Sequence, residues 1–433
     1  MVPAVYGSEP MSTLVSDLLF FSPHGVVPDG WKETAAAIQN AKDNQAAGNL
    51  LRKMVSFASE FALSGNVWQY WLTYMLMMHE NAFSLSCERK TILPDSSLME
   101  LAKTDFQVIM DLFTPDLLKM RSLSVMTDYK APFADQKPNR VGKMIITLSQ
   151  KLANAGSVDI FAQQMGDFYA AYGTGIYGLY KAFRISETNG DTSLVPVTDD
   201  TDVCFEDLIG LETQKKTLKE NTEAFLNGKN ANNVLLYGDS GTGKSTSVHA
   251  LMHDYFDKGL RLVELTKPDR RLLPQVLASI KKRNYHFIIY LDDLSFEENE
   301  SEYKELKAML EGALEKRSDR VLIYATSNRR HLIRETWTDR NDMEYQNDIH
   351  HSDTMEEKLS LASRFGVTIY YGKPDPKEYL HIVNELAVRN GISLDDVTLN
   401  DRARKWELRH GGMSGRTASQ LITWLKGTAE QKP

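Results

Sequence analysis

The spacing of apolar side chains changes once along this chain, near residue 180. Before that point apolar residues recur every three or four positions, which is typical of helices with one buried face. Core packing explains the aromatic and methionine side chains of these stretches better than a ligand site does. We therefore predict a mainly α-helical N-terminal domain over residues 1–180, with a partner-binding or assembly role and with helices near 31–53, 66–79, 98–114 and 143–172.

After residue 205, short apolar runs alternate with segments of helical spacing. The runs have the length and the unbroken apolar character of buried strands. Such alternation predicts an α/β fold with a doubly wound parallel sheet, whose ligand lies at the carboxyl ends of the strands. The predicted strands are 233–237, 260–265, 286–291, 320–325 and 366–371, and the predicted helices between them are 244–256, 272–282 and 300–315.

The segment that joins these regions contains a glycine pattern. Residues 173–178 read Gly-Thr-Gly-Ile-Tyr-Gly, which matches the dinucleotide-binding fingerprint. That fingerprint must follow a strand and open a helix. Here a helical stretch precedes it and a strand-like stretch follows, so we interpret it as a helix-to-strand turn. Two apolar runs then flank Asn189-Gly190, which predicts a β-hairpin, and we assign residues 181–203 to a hairpin or linker.

A second glycine pattern has the context that its chemistry needs. Residues 238–245 read Gly-Asp-Ser-Gly-Thr-Gly-Lys-Ser, directly after a predicted buried strand and before a predicted helix. Glycines let successive backbone N–H groups turn towards one anion, and the helix N-terminus adds its positive dipole. This Walker A motif predicts a nucleoside triphosphate site formed by Gly238, Asp239, Ser240, Gly241, Thr242, Gly243, Lys244, Ser245 and Thr246.

Within this motif two side chains have predicted roles. Lys244 is expected to reach the β- and γ-phosphates, and the Ser245 hydroxyl to bind Mg²⁺. Residues 287–293 form a buried run that ends in two carboxylates, as a Walker B strand does, and Asp292 is expected to bind Mg²⁺ beside Ser245. Hydrolysis also needs a group that activates water, and we favour Asp293, with Glu297 as the rival and Glu298 behind both.

Three later residues have two possible roles each. Asn328 follows another buried run and could orient the attacking water or simply form a turn. Arg364 precedes a strand, and Arg416 opens the last predicted helix. An arginine fork suits phosphate and transition-state charge, but such residues form ordinary ion pairs more often.

Composition limits the partners of the chain. Its 433 residues carry a net charge of −8, which gives no overall attraction to nucleic acid or to an anionic membrane. The two cysteines, Cys87 and Cys204, lack metal spacing and are expected to be core residues of a protein in a reducing compartment. The first residues lack a signal-peptide pattern, and the apolar stretch 67–78 is too short for a membrane span. We expect a cytoplasmic protein without membrane contact.

The order of these motifs resembles that of AAA+ ATPases. The series runs through Phe205-Glu-Asp-Leu-Ile-Gly210, the Walker A loop, Asp292-Asp293, Thr-Ser-Asn328, Ser-Arg364-Phe-Gly and Gly-Arg416-Thr. The resemblance is closer still to the uncharacterised bacterial branch called domain of unknown function 815, through residues 232–238, 292–297 and 357–366. It covers residues 160–427 and extends weakly into the N-terminal half.

The resemblance implies a P-loop NTPase (AAA+) core at 204–373 and a small C-terminal helical lid at 374–433. Asn328 becomes the sensor-1 residue and Arg416 the sensor-2 arginine. Arg364 becomes an arginine finger offered to the neighbouring subunit, which implies a homo-oligomeric ring or spiral; Arg329 and Arg330 compete for that role. Ile209 and Gly210 would lie near the adenine. Most AAA+ proteins have Glu where Asp293 stands, a departure that puts the base in question.

These inferences imply an Mg²⁺- and ATP-dependent hydrolase with an unidentified protein or nucleic-acid client. A protein remodeller is disfavoured because the loop 267–271 lacks an aromatic residue. A P-loop kinase is disfavoured by the sensor and finger elements, and a nucleotide-gated scaffold stays open.

His350, His351 and Asp353 lack metal-site spacing and are expected in a solvated loop. A nucleic-acid loader would use a basic cluster, which is otherwise a solvated face: Lys267, Arg270, Arg271, Lys281, Lys282 and Arg283.

Overall fold

The computed structural model describes residues 18–21, 30–39, 44–91, 96–113, 123–132, 137–188, 191–198, 203–281, 283–295, 306, 310, 319–328 and 361–429. The chain forms two compact units, Met1–Tyr180 and Lys181–Pro433, which we call the N-terminal and C-terminal units. The finer division at residues 204 and 374 stays a proposal.

The N-terminal unit is helical, as predicted. Five of its described helices start after an Asn or Ser: the side chains of Asn66, Asn81, Ser96, Asn139 and Ser157 each accept a hydrogen bond from a backbone N–H in the first helical turn. The described helices are α1 (Trp31–Gln39), α2 (Asn44–Glu60), α3 (Val67–Met78), α4 (Ala82–Glu88), α5 (Ser97–Leu112), α6 (Arg140–Ala153), α7 (Val158–Tyr172) and α8 (Gly175–Leu179), with a 3₁₀ turn at Ser124–Asp128.

The predicted aromatic and methionine stripe forms the core of this unit. Phe106 packs against Phe21, Phe83 and Phe161, and each of these rings is almost fully buried. Buried indole groups are paired: Trp68 donates to the Leu112 carbonyl and Trp71 to the Thr34 hydroxyl, each at 2.8 Å. The stripe is therefore explained by packing.

The glycine pattern 173–178 is more structured than a simple turn. Gly173 and Gly175 have φ values of 88° and 67°, and the short helix α8 follows before the chain becomes extended at Ala182. The predicted turn is therefore wrong in detail, because the glycines allow one extra helical turn. Helix α7 precedes the pattern, so it lacks the strand that a dinucleotide site requires.

The C-terminal unit is an α/β fold. Its described strands form one sheet in the order β2-β1-β4-β5-β6-β3-β7, parallel except for the antiparallel β1–β2 hairpin. The hairpin is an edge of this sheet rather than a linker, because β1 pairs with β4. The strands are β1 (Ala182–Thr188), β2 (Asp191–Pro196), β3 (Val234–Gly238), β4 (Leu260–Leu265), β5 (His286–Leu291), β6 (Val321–Ser327) and β7 (Val367–Tyr371).

Helices cover this sheet and continue beyond it. Helix α9 (Glu212–Leu226) precedes β3, α10 (Lys244–Tyr255) connects β3 to β4, and α11 (Leu273–Ile280) connects β4 to β5. Two 3₁₀ turns lie at Phe256–Lys258 and Lys267–Leu272. The last helices, α12 (Pro376–Arg389), α13 (Asp396–Arg409) and α14 (Gly415–Ala429), share a small core of their own. The α/β class, the parallel sheet and the C-terminal helical lid are as predicted.

The register aligns the carboxyl ends of the central strands. Gly238 lies opposite Tyr371 of β7, and Tyr237 lies opposite Ser327 of β6. In the next pair Leu291 lies opposite Ala325. The residues that follow these strands therefore emerge at one edge of the sheet, where doubly wound folds bind their ligands.

Candidate nucleotide-binding site

The Walker A segment is a glycine loop between β3 and α10. Gly238, Gly241 and Gly243 have φ values of 135°, 76° and 96°, which other residues rarely adopt. A Cβ on Gly238 would lie 2.1 Å from the Tyr371 carbonyl oxygen, and one on Gly241 would lie 3.1 Å from the Arg416 Cβ. The glycines are therefore required by the backbone conformation and by close neighbours, and the loop has the shape of a phosphate cradle.

Lys244 begins α10 and is only 7% exposed. Its ammonium group donates to the carbonyl oxygens of Gly238 and Asp239, at 3.0 and 2.6 Å, and to Asn328 Oδ1 at 3.0 Å. Burial lowers the pKa of Lys244, and the nearby carboxylates of Asp239, Asp293 and Asp292 oppose that shift. The loop therefore directs a partly desolvated cation towards the sheet edge.

Asp292 follows β5 and meets the start of α10. Its Oδ1 accepts from the hydroxyls of Ser245, Tyr290 and Thr326, at 3.0, 2.6 and 2.6 Å. Burial alone would raise the pKa of Asp292, but these hydrogen bonds outweigh burial and hold it below its ordinary value. A serine hydroxyl and an ionised carboxylate are hard oxygen ligands of the kind that Mg²⁺ prefers. Ser245 and Asp292 therefore fit a magnesium ion.

Asp293 and Asn328 complete a chain of polar contacts. Asn328 Nδ2 donates to Asp293 Oδ1 at 2.9 Å, while Asn328 Oδ1 accepts from Lys244. This arrangement orients the amide, because one end must donate and the other accept. Asp293 has a φ of 46°, an uncommon conformation for a non-glycine residue. The two acids therefore diverge, with one held by hydroxyls and the other by the amide.

Two residues of this network were absent from the sequence predictions. Thr326 lies within β6 and is 1% exposed, and Tyr290 lies within β5 and is fully buried. Burial and the neighbouring Asp292 raise the pKa of Tyr290, so its hydroxyl keeps its proton and donates. The sequence held a signal for Tyr290, which precedes Asp292 by two positions. Residues two apart on an extended chain share a face, so contact between these two side chains could have been predicted.

A cleft of about 1250 Å³ surrounds this network. Ile209 and Gly210, predicted near the adenine, lie on its wall, as do Asp293, Asn328 and Arg416. The backbone N–H of Arg416 donates to the Gly241 carbonyl at 3.2 Å, so α14 packs on the glycine loop. The residues of the Walker A motif and of the end of the Walker B strand that line the cleft are Ser240, Gly241, Thr242, Gly243, Lys244, Ser245, Thr246 and Asp292.

Gly238 and Asp239 line a smaller adjoining cleft with Tyr237, and this cleft shares Asn328 and Tyr370 with the larger one. The Asp239 carboxylate accepts from the backbone N–H of Lys373 at 3.2 Å. The structure therefore gathers every described Walker A residue at one edge of the sheet.

Arg364 lies elsewhere. It is exposed and precedes β7, a parallel neighbour of β3, so it lies at the amino edge of the sheet. The five residues of β7 span about 16 Å between that edge and the cleft. Arg364 is not part of the cleft wall in its own chain. The other predicted residues Glu297, Glu298, Arg329, Arg330, His350, His351 and Asp353 lie outside the described residues.

One member of the basic cluster suggested for nucleic acid is buried. Arg283 is 7% exposed, with its guanidinium 5.9 Å from the Tyr285 ring. Arg271 forms an ion pair with Glu187 at 2.7 Å. The sequence placed Arg283 either in a phosphate-binding cluster or on a solvated face, and its burial makes both placements wrong for this residue. The side chains of Arg270 and Lys282 lie outside the described residues.

Cys204 also differs from expectation. It is half-buried rather than part of a core, and its thiol donates to the Asp207 carboxylate at 3.1 Å, whereas Cys87 is buried as predicted. Within the described part of the chain, no group of three or more His, Cys, Asp or Glu residues has metal-site geometry. Among the helices that the structure describes, none has the length and apolar character to cross a bilayer.

Solved structures with partial similarity include the AAA domain of FIGL-1 in complex with ADP. It shares 21% identity over 53% of this chain and 74% of its own, with a TM-score of 0.37. A Thermotoga maritima RuvB mutant shares 18% identity over 53% of this chain, with a TM-score of 0.36, and the match spans only 65% of the RuvB chain. The T. maritima RuvB Holliday junction branch migration motor shares 15% identity over 51% of this chain and 72% of its own, with a TM-score of 0.32.

A family model gives the wider match. The strand order, the glycine loop and the C-terminal helices confirm the predicted α/β fold with a doubly wound, mainly parallel sheet. The model of the family described as protein of unknown function (DUF815) matches residues 179–429, more than half of the 433 residues. The chain therefore belongs to this family.

Proposed function

We propose that this protein binds Mg²⁺-ATP in the cleft and hydrolyses it at contacts between identical subunits to change the conformation of a macromolecular client. One observation carries the proposal: Lys244, Asn328 and Asp293 form a hydrogen-bonded chain beside the Ser245–Asp292 pair. A phosphate-directed cation, a hard metal-ligand pair and a second carboxylate held by an amide are groups that phosphoryl transfer can use.

Each residue then has a distinct task. The backbone N–H groups of the glycine loop and the Lys244 ammonium bind the phosphates. Magnesium, when held by Ser245 and Asp292, supplies charge neutralisation at the phosphate oxygens. Asp293 accepts the proton of the attacking water, and Asn328 holds that carboxylate in place. Arg416, on the wall of the cleft, adds positive charge near the phosphates.

The position of Arg364 supports an intersubunit site. It is exposed at the amino edge of the sheet, about 16 Å from the cleft along β7. A guanidinium at that edge does not line the cleft of its own chain, and an arginine supplied by a neighbouring chain accelerates related reactions about 10³- to 10⁵-fold. We therefore propose a homo-oligomer, a ring or a spiral, as the active form.

A mixing experiment tests this proposal. Lys244→Ala removes nucleotide binding but still offers Arg364, whereas Arg364→Ala binds nucleotide but lacks the finger. Each variant alone should be inactive, and their mixture should recover ATP hydrolysis, measured as phosphate release. A mixture that stays inactive argues against Arg364 as the finger in trans. Arg404→Ala, which removes another exposed arginine, is the matched control and should keep full activity.

The base is tested separately. Asp293→Asn should lower the turnover number while leaving ATP affinity unchanged, because the carboxylate acts only in the chemical step. Glu297→Gln is the rival variant. If Glu297→Gln alone slows turnover, the assignment of Asp293 is wrong.

The client belongs to one of two classes. Burial of Arg283 and the Arg271–Glu187 ion pair reduce the basic surface available to nucleic acid, so we favour a protein client. The absence of an aromatic residue in the loop 267–271 argues against a client that this loop pulls through a ring. DNA affinity that falls steeply with added salt would instead support a loader-like switch. Capture of the client by the hydrolysis-deficient Asp293→Asn variant in the presence of ATP distinguishes the two.

A further inference from the structure

The buried hydroxyls of Thr326 and Tyr290 have no role in the sequence predictions, yet both contact the acidic pair. Thr326 is 1% exposed and touches both acids: its Oγ1 donates to Asp292 Oδ1 at 2.6 Å and accepts from the Asp293 backbone N–H at 3.0 Å. Its carbonyl also accepts from the Leu294 N–H at 2.7 Å. Thr326 therefore binds three consecutive residues after β5.

Tyr290 contacts only the first acid. Its hydroxyl donates to Asp292 Oδ1 at 2.6 Å, from a fully buried ring on β5, the strand that Asp292 follows. Its ring packs against His249 of α10, with centroids 5.8 Å apart. The hydroxyl therefore has a defined position, and a carboxylate that turned away from Ser245 would break its hydrogen bonds to two buried hydroxyls.

The contact with Asp293 bears on its unusual backbone. At a φ of 46° this residue is in the left-handed region, which costs free energy for a residue with a side chain. Hydrogen bonds from the Asp293 and Leu294 amides to Thr326 hold that turn. This turn and the contact with Asn328 direct the Asp293 side chain, which is shorter than a glutamate side chain, into the cleft.

We propose that Thr326 and Tyr290 are positioning residues that act on different members of the acidic pair: Tyr290 orients only the metal-directed Asp292, whereas Thr326 orients Asp292 and also fixes the backbone of Asp293. The part that concerns Asp292 rests on the proposed function. The part that concerns Asp293 is a statement about the protein without ligand.

The ligand-free part is tested by amide hydrogen exchange in the full chain. Thr326→Val keeps the size and β-branching of the side chain but removes the hydroxyl, so the Asp293 amide should exchange about fivefold faster or more. Thr326→Ser keeps the hydroxyl and should retain protection. Tyr290→Phe should leave the Asp293 amide protected. Unchanged exchange at Asp293 in Thr326→Val overturns the proposal whether or not the protein binds ATP.

The metal-directed part is tested by binding of a fluorescent ADP analogue across a magnesium titration. Tyr290→Phe and Thr326→Val should each raise the magnesium concentration at half-saturation about tenfold, because each removes a hydrogen bond to a carboxylate. Affinity measured without magnesium should not change. Equal affinity shifts with and without magnesium would contradict a role through Asp292.

Two further outcomes are decisive. If Thr326→Val is insoluble, Thr326→Ala, which also removes the hydroxyl, replaces it in the exchange measurement and in the magnesium titration. If wild-type protein binds no nucleotide, the proposed function fails, while the exchange result still decides the role of Thr326 at Asp293.

Discussion

Two aspartates, one in each unit, accept three hydrogen bonds each, and their surroundings differ. Asp105 of the N-terminal unit is 3% exposed and accepts from the backbone N–H groups of Leu19, Phe20 and Phe21, at 2.9, 2.7 and 3.0 Å. Asp292 of the C-terminal unit accepts from three side-chain hydroxyls that belong to separate strands and a helix, at the wall of a cleft. The number of bonds is equal, but the first set comes from one chain segment and the second from the convergence of several elements.

This difference distinguishes a carboxylate that stabilises the fold from a carboxylate that can bind a ligand. A carboxylate that binds three backbone amides stabilises the fold, because the buried Phe21 amide would otherwise lack a partner. A carboxylate held by side chains at an open edge keeps capacity for a ligand. The chemistry of the residue is the same in both cases, and its neighbours decide its role.

Lys244→Ala tests the functional half of this comparison, because it should change ATP binding and leave the N-terminal unit unaffected. The ammonium is the cation that the loop directs to the phosphates, so ATP affinity should fall about 100-fold or more. Amide protection in α5 should not change. Binding of a fluorescent ATP analogue measures the effect, with Lys229→Ala as the control on an exposed lysine. Retained affinity would reject the phosphate-loop assignment.

Gly238→Ala and Gly178→Ala compare the two glycine patterns. A Cβ on Gly238 would lie 2.1 Å from a backbone oxygen at a φ of 135°, so we expect a loss of about 3 kcal/mol or more in stability, with loss of ATP binding. A Cβ on Gly178 would lie 2.9 Å from the Gly173 oxygen, which predicts a loss of about 1–3 kcal/mol and unchanged binding. Urea unfolding and nucleotide titration measure both. An ATP-binding defect in Gly178→Ala would give that pattern a role that we do not assign.

Asp105→Ala tests the structural half of this comparison, because it should lower stability and leave ATP binding unaffected. Three backbone amides would lose their acceptor, so the free energy of unfolding should fall by about 2–3 kcal/mol. Asp105→Asn keeps one acceptor oxygen and should lose less. ATP affinity should be that of the wild type in both variants. Equal stability of wild type and Asp105→Ala in urea would show that these bonds contribute nothing.

The smallest effect concerns the pH dependence of stability. Burial, with the nearby charge of Arg320, lowers the pKa of His286 below its ordinary value of 6.5. The unfolded chain therefore takes up a proton at a higher pH than the folded chain does, and stability falls as the pH drops below about 6.5. His286→Leu should flatten this fall between pH 7.5 and 5.5, measured by thermal unfolding. An identical slope in both proteins would exclude His286 as its source.

Much of the architecture was readable from local pattern. The strands at 260–265 and 286–291 have the predicted bounds, because unbroken apolar runs between polar residues leave little choice of conformation. The parallel sheet follows from the strand–helix alternation, and family membership is confirmed by the match over residues 179–429. The roles of the site residues, by contrast, stay predictions until nucleotide is bound.

What the sequence by itself determined is the chemistry available and the elements that carry it, since glycine freedom, apolar periodicity and a lysine after a glycine loop act over a few neighbouring residues. Only the tertiary structure decided which side chains meet. The contacts of Thr326 with Asp292 and Asp293 join residues more than thirty positions apart. Arg283, which the sequence placed on a basic surface, is buried. Strand register and burial set such contacts, and both arise from packing of the whole unit rather than from any local pattern.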